Sequence, residues 1–247
     1  MKVNDRLNVF SEELNLIQNP KYKELLKEII ENAPAYFFTM PASTSGKYHP
    51  ALSLGEGGLV RHTKVVAKLM IMLSKLKMFK FSDDEKDLLL IAAIAHDMLK
   101  KGENKTGHTV NDHPQFAYDF VLKCVLKVIG DNWDNDYIYT CLLNPIKTHM
   151  GEWGVQLPEN EEEKLLHICD YISAQKELTY NFNEEEYIKT IPKTGSLTIE
   201  FGKYKGKTLD EVRKINLDYL IWVKDNADKV PGAKEMARKY LEEQKLI

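Results

Sequence analysis

His96 and Asp97 stand side by side at the end of an almost wholly apolar run, Leu88-Leu89-Leu90-Ile91-Ala92-Ala93-Ile94-Ala95. A helix that is apolar all round is a buried one, so this stretch delivers an imidazole and a carboxylate to the protein interior. A buried, ionised carboxylate is costly unless it is paired or coordinates a metal. Further candidates lie at wide spacing: His62 early on the preceding helix, His113 at the start of another, His149 at the end of one, and Asp170 in the apolar stretch Leu165-Leu166-His167-Ile168-Cys169. Four imidazoles and two carboxylates suit a divalent transition metal such as manganese, iron, nickel or zinc better than calcium. His167 reads as a hydrogen-bonded core residue, and His108, in a polar Thr-Gly-His loop, as a solvated or substrate-facing one.

Helices must position these groups. Asn19-Pro20 opens a helix that stops before Pro34. From Phe37 to Gly58 the glycines and prolines dictate a long loop with at most short helical turns. The apolar spacing of Val66, Leu69, Met70 and Leu73 predicts a helix starting near Leu59. Ser82 and Glu85 form a capping-box pattern for the helix ending at His96-Asp97, with Gly102 as its stop. Pro114 suits the first turn of a helix ending at Gly130. Further helices are predicted over Asp136 to Met150, bent or broken by Pro145, and over Glu161 to Leu178. Near Ile191 the character changes. Pro192, Gly195 and Ser196 form a linker-like break, and Leu197 to Phe201 alternates like a strand. A turn over Gly202 to Gly206 leads into a second short strand, followed by short helices anchored by Trp222 and Tyr240. The expected fold is mostly α, with N-terminal helices over 1–36, a helical-bundle domain over 37–190 and a small α+β module over 195–247.

At 247 residues, 43% hydrophobic and 29% charged, the chain has the composition of a globular protein. A formal net charge of -3 gives no global reason for a nucleic-acid or membrane coat. Cys124, Cys141 and Cys169 are far apart in apolar stretches and read as buried free thiols of a reducing compartment. With no signal-peptide core and no apolar run near ~20 residues, a cytoplasmic protein that does not engage membranes is expected.

The order His62, His96-Asp97, His113, His149, Asp170 resembles the HD-domain metal-dependent phosphohydrolase superfamily. The resemblance runs from about Phe37 to Leu178. His113-Pro114, His149-Met150-Gly151-Glu152-Trp153 and Asp170-Tyr171-Ile172 match segments of its six-ligand, two-metal members. It implies a helical bundle in which His62, His96, Asp97 and Asp170 hold one ion while His113 and His149 join a bridging Asp97 on a second. It implies hydrolysis of a phosphoester in a nucleotide or nucleic acid by metal-activated water, with Asp97 as a catalytic group. Lys100 completes a His-Asp-x-x-Lys pattern and would contact a substrate phosphate. The loop before His62 resembles the corresponding segment of some relatives, which makes Arg61, Lys47 and His49 candidate substrate contacts. The same ligands are also compatible with a non-catalytic nucleotide- or nucleic-acid-binding module, or with a di-iron oxygenase of the same superfamily.

Phe201-Gly202-Lys203-Tyr204-Lys205-Gly206-Lys207, with Tyr219-Leu220-Ile221-Trp222, resembles the small C-terminal domain of exodeoxyribonuclease X, also met in short phage and bacterial proteins. That resemblance implies DNA or RNA contact, with Lys203 and Lys205 on phosphates and Tyr204 stacked on a base, and it is compatible with a phage origin.

Overall fold

The computed structural model describes residues 3–43, 49–102, 109–130, 136–176, 178, 197–228, 230 and 232–246. Lys47, His108 and the break at Pro192 to Ser196 lie outside them. The chain forms two compact units: Met1–Phe38 with Val60–Gln175, and Thr39–Leu59 with Lys176–Ile247. Among the described residues no helix is long and apolar enough to cross a membrane.

The first unit is helical. Helices α1 (Val3–Val9) and α2 (Ser11–Leu16) precede α3 (Pro20–Asn32). The Asn19 side chain caps α3 by accepting from the Lys21 amide at 2.9 Å, with Pro20 in the first turn. Arg6 donates to the carbonyls of Glu31 and Ala33, both at 2.8 Å, satisfying groups that the end of α3 leaves open. Leu25, Leu26, Ile29 and Ile30 are fully buried on one face of α3. The 3-10 turn Ala35–Phe38 adds a layer of buried aromatic rings.

Helix α4 (Gly58–Leu73) carries His62, and α5 (Asp83–Ala95) leads to the His-Asp doublet. The capping box is present: the Ser82 hydroxyl accepts from the Glu85 amide and Glu85 accepts from the Ser82 amide. Leu88 to Ala95 are buried on every side, because α5 packs against α3 and against helices described below. Its buried charge, Asp87, accepts from the amides of Gln18 and Asn19 at 2.9 and 2.8 Å, so one carboxylate ties α5 to the start of α3.

Helix α6 (His113–Val128) begins with Pro114 in its first turn. A short α7 (Asp136–Ile138) widens into a π-helical turn, Tyr139–Leu143, before α8 (Asn144–Thr148). The regular α-helical ladder is interrupted just ahead of Pro145, in line with the break expected there. The Pro145 ring, which lacks an N–H and crowds the carbonyl four residues back, sits in the first turn of α8 while the preceding turn loosens. Helix α9 (Glu161–Ser173), capped by the Asn160 side chain on the Glu163 amide at 2.8 Å, ends before the predicted Leu178. Cys124, Cys141 and Cys169 are buried free thiols, and burial pushes each up to about 12.

In the second unit the loop folds back on itself around the 3-10 turn Ala51–Ser53, with Ala42 donating to the Ser53 carbonyl at 2.9 Å and Leu59 to that of Met40 at 2.9 Å. A methyl at Gly55 would fall 2.7 Å from Leu197 Cδ2, so the loop closes against the C-terminal residues only because that side chain is absent. The expected pair of strands is reduced to one antiparallel bridge, Thr198 to Thr208, reinforced by Ile199 N to Lys207 O at 2.8 Å and Leu209 N to Leu197 O at 2.9 Å. The 3-10 turn Gly202–Tyr204 takes up the residues a longer ladder would need. Helices α10 (Leu209–Ile215), α11 (Leu217–Asn226) and α12 (Ala233–Glu243) follow. Ile199, Tyr204, Leu209, Val212, Leu220, Tyr240 and Leu241 form a common core. Tyr240 is the anchor expected of it, whereas Trp222 is 51% exposed and stacks on Tyr219 at the surface, with ring centroids 5.9 Å apart.

Candidate metal centre

Six side chains from five places in the first unit converge. His62 comes from the second turn of α4, and His96 and Asp97 from the turn that ends α5. His113 opens α6, His149 follows α8, and Asp170 lies in the last turn of α9. The turn carrying the doublet is fixed from behind, where the Tyr36 hydroxyl accepts from the Lys101 amide at 3.2 Å and donates to the Gly102 carbonyl at 3.1 Å. All six are buried except Asp170, whose side chain is 21% exposed.

Every ring is oriented by its Nδ1. His96 donates to the Ala93 carbonyl at 2.8 Å, His113 to that of Val110 at 2.7 Å, and His149 to that of Ile146 at 2.7 Å. His62 Nδ1 lies 3.0 Å from Ser173 Oγ, whose own proton goes to the Asp170 carbonyl at 2.7 Å, so the serine accepts from the ring. A carbonyl can only accept, so each neutral imidazole carries its proton on Nδ1 and turns an Nε2 lone pair inward. His113 Nε2 and His149 Nε2 are 3.2 Å apart. Two lone pairs face to face at that distance repel unless a proton or a metal ion takes one up.

The two oxygens of Asp97 serve different rings. Oδ2 lies 3.5 Å from His62 Nε2 and 3.6 Å from His96 Nε2, while Oδ1 lies 3.2 Å from His113 Nε2 and 3.7 Å from His149 Nε2. Asp170 Oδ1 is 3.0 Å from His62 Nε2 and 3.7 Å from His96 Nε2. Atoms bound at ~2.1 Å to one ion are separated by about 3.0 Å in an octahedron and about 3.4 Å in a tetrahedron. The two shortest spacings, 3.0 and 3.2 Å, match ligands around one ion and the others are a few tenths of an ångström wider, so the buried donor set could hold one or more ions. His62, His96 and Asp97 form one grouping, Asp97, His113 and His149 another, and His96, His149 and Asp170 a third that draws on both sides. His96 Nε2 and Asp97 Oδ1 are buried with no hydrogen-bond partner among the described residues.

The charges of the cluster keep its two carboxylates ionised. Burial alone would raise Asp97, but the Lys100 ammonium, 2.5 Å from Oδ2, and the surrounding imidazoles outweigh it and hold the carboxyl well below the usual range. Burial likewise opposes ionisation of Asp170, and His62 and His96 overcome it. His149 is pushed down by burial and so stays a neutral donor. For His62 burial works against the charged form, yet the Asp170 and Asp97 carboxylates outweigh it and raise the ring's pKa.

Lys100 is therefore in the cluster, buried and aimed at Asp97. Arg61 is buried on α4 beside His62, and His49 belongs to the second unit. His167 is hydrogen-bonded, as expected, but only partly buried: its Nδ1 donates to the His149 carbonyl at 2.7 Å. The backbone passes over that ring at Gly151, where φ is +55° and a Cβ would fall 2.4 Å from His167 Cε1. Ser173 escaped the reading of the sequence. The available signal was its place three residues beyond Asp170, one helical turn on. A further grouping, Glu85, Cys141 and Glu162, has Glu85 engaged in the α5 cap and a thiol raised to about 12 by burial.

In the second unit Lys203 and Lys205 are exposed, but Tyr204 is only 7% exposed and packs edge-on against Tyr219 with centroids 4.8 Å apart. The ring expected to stack on a base is part of the module's core instead, because the 3-10 turn rotates it inward. Residues 199–228 match the family model of the exodeoxyribonuclease X-like C-terminal domain. No curated protein and no solved structure matches the chain.

Proposed function

We propose that the protein is a metal-dependent phosphohydrolase of the HD type, acting on a phosphoester of a nucleotide or nucleic acid. The observation that carries this reading is the set of four imidazoles, each proton-locked on Nδ1, with their Nε2 atoms gathered around Asp97 and Asp170. His62, His96, Asp97 and Asp170 would hold one divalent ion, and His113 and His149 would hold a second with Asp97 shared between them. Such ions, when bound, acidify water and neutralise charge on phosphoryl oxygens. The chain's own residues prepare the rest. The carbonyls of Ala93, Val110 and Ile146 and the Ser173 hydroxyl keep the rings in the ligating tautomer, as outer partners of metal ligands do. The buried turn around Lys100 places an ammonium beside the carboxylate where a phosphate would arrive, able to shift from Asp97 to a phosphoryl oxygen. Burial of five of the six groups keeps bulk water from competing. The C-terminal match to an exodeoxyribonuclease X-like domain favours a nucleic-acid-linked substrate, with Lys203 and Lys205 as exposed phosphate contacts.

The test is metal analysis of the purified chain together with a hydrolysis screen. Bound divalent ion is expected, with manganese-supported cleavage that falls more than about 100-fold in Asp97→Ala, beyond the loss usual for an outer partner. A manganese-loaded protein that cleaves no nucleotide, cyclic dinucleotide, single-stranded DNA or RNA above the Asp97→Ala level would overturn the proposal.

A further inference from the structure

Exposed apolar side chains that cluster, rather than lie singly, mark interaction sites. Trp153, 59% exposed, and Tyr171, 49% exposed, lie on the surface of the first unit as an offset-parallel pair, with ring centroids 5.9 Å apart and planes within 3°. Both belong to the elements that build the cluster. Tyr171 is the residue after Asp170 on α9, so their Cα atoms are ~3.8 Å apart. Trp153 ends the 3-10 turn Gly151–Trp153 that follows His149. Beside them His167, 6.1 Å from the Trp153 ring and 6.5 Å from that of Tyr171, donates to the His149 carbonyl. Asp170, next to Tyr171 in the chain, is the partly exposed member of the cluster, with its side chain 21% exposed.

We infer that Trp153 and Tyr171 form a stacking platform for a nucleobase of the substrate, seated while a phosphate of the same molecule is at Asp97 and Lys100. This rests on the hydrolase reading and assigns the residues that would grip the base of its nucleotide or nucleic-acid substrate. The pair offers flat, aligned faces, and base stacking on such rings is tolerant of base identity and adds about tenfold or more in affinity per base. The platform thus supplies affinity for any base, while the cluster selects the phosphoester. Val155, 92% exposed, and Leu157, 65% exposed, follow Trp153 in the chain and make a contact between two copies of the chain the competing use.

The test is an anisotropy titration of the full chain in EDTA, so that binding is read apart from cleavage. The probes are a fluorescein-labelled oligothymidylate and a tetrahydrofuran (abasic) oligomer of equal length and charge. Wild type is expected to prefer the base-bearing oligomer by about tenfold or more. Trp153→Ala should bring that ratio close to one, and Trp153→Phe, which keeps an aromatic face, should retain most of it. Equal binding of the two oligomers by wild type, or an unchanged preference in Trp153→Ala, overturns the platform. So does sedimentation showing that Trp153→Ala alters self-association while the preference persists. Displacement by thymidine monophosphate identifies a free nucleotide as occupant, and resistance to it a strand; either supports the platform once the base preference is seen. A protein that keeps the preference but fails the manganese hydrolysis screen overturns the hydrolase reading instead.

Discussion

The helical unit and the C-terminal module treat their most distinctive side chains in opposite ways. In the first, polar groups that would be stable in water are held inside: His62, His96, Asp97, His113 and His149 are all buried, with Lys100 beside them. In the second, Tyr204, whose neighbours Lys203 and Lys205 mark a surface, turns inward to pack with Tyr219, Leu220 and Tyr240. Burial of a charged group runs against its hydration and needs a compensating ligand or partner. Burial of an aromatic ring is favourable by itself. The first kind of burial is therefore evidence of function, and the second is evidence only of a core.

Three substitutions would break or sharpen that contrast. The largest effect is expected for Leu220→Ala, fully buried in the module's core, at about 3 kcal/mol in a denaturant titration. Metal content should be unchanged, since Leu220 ligates nothing. A concurrent loss of bound metal would show that the two units are not energetically separate. Next comes Ser173→Ala, which removes the acceptor that holds His62 Nδ1. Metal affinity should fall about 10- to 100-fold in a competition titration with a chelating dye, and stability by about 1–3 kcal/mol because a buried donor loses its partner. Lost stability with intact affinity would make the cluster an ordinary polar core. The smallest is Tyr240→Phe, which deletes the 2.7 Å bond to Asp210 and should cost about 1 kcal/mol with no effect on metal.

Much of this was legible where the physics is local. The Ser82-Glu85 cap, Pro20 and Pro114 in first turns and the apolar run before His96 each follow from hydrogen-bond accounting or helical period over a few residues. The doublet was legible because a carboxylate in such a run has few ways to be stable. What escaped depends on geometry the period does not carry. Alternation over Leu197 to Phe201 predicts a strand, yet one bridge forms, because the intervening 3-10 turn consumes the pairing residues. Trp222 and Tyr204 exchange their expected places, since which aromatic faces inward is decided by neighbours distant in sequence. Ser173 could not be distinguished from any helical serine until His62 was placed beside it.

The three buried thiols have a practical consequence. With each pushed up to about 12, only about one in ten thousand is a thiolate at pH 8. Maleimides and haloacetamides react through the thiolate, so Cys124, Cys141 and Cys169 are nearly silent toward them in the folded chain. A single cysteine introduced at a solvent-facing position would take up a fluorophore or spin label almost alone. The native three could then stay in place, sparing the helical unit the cavities that a cysteine-free background would open.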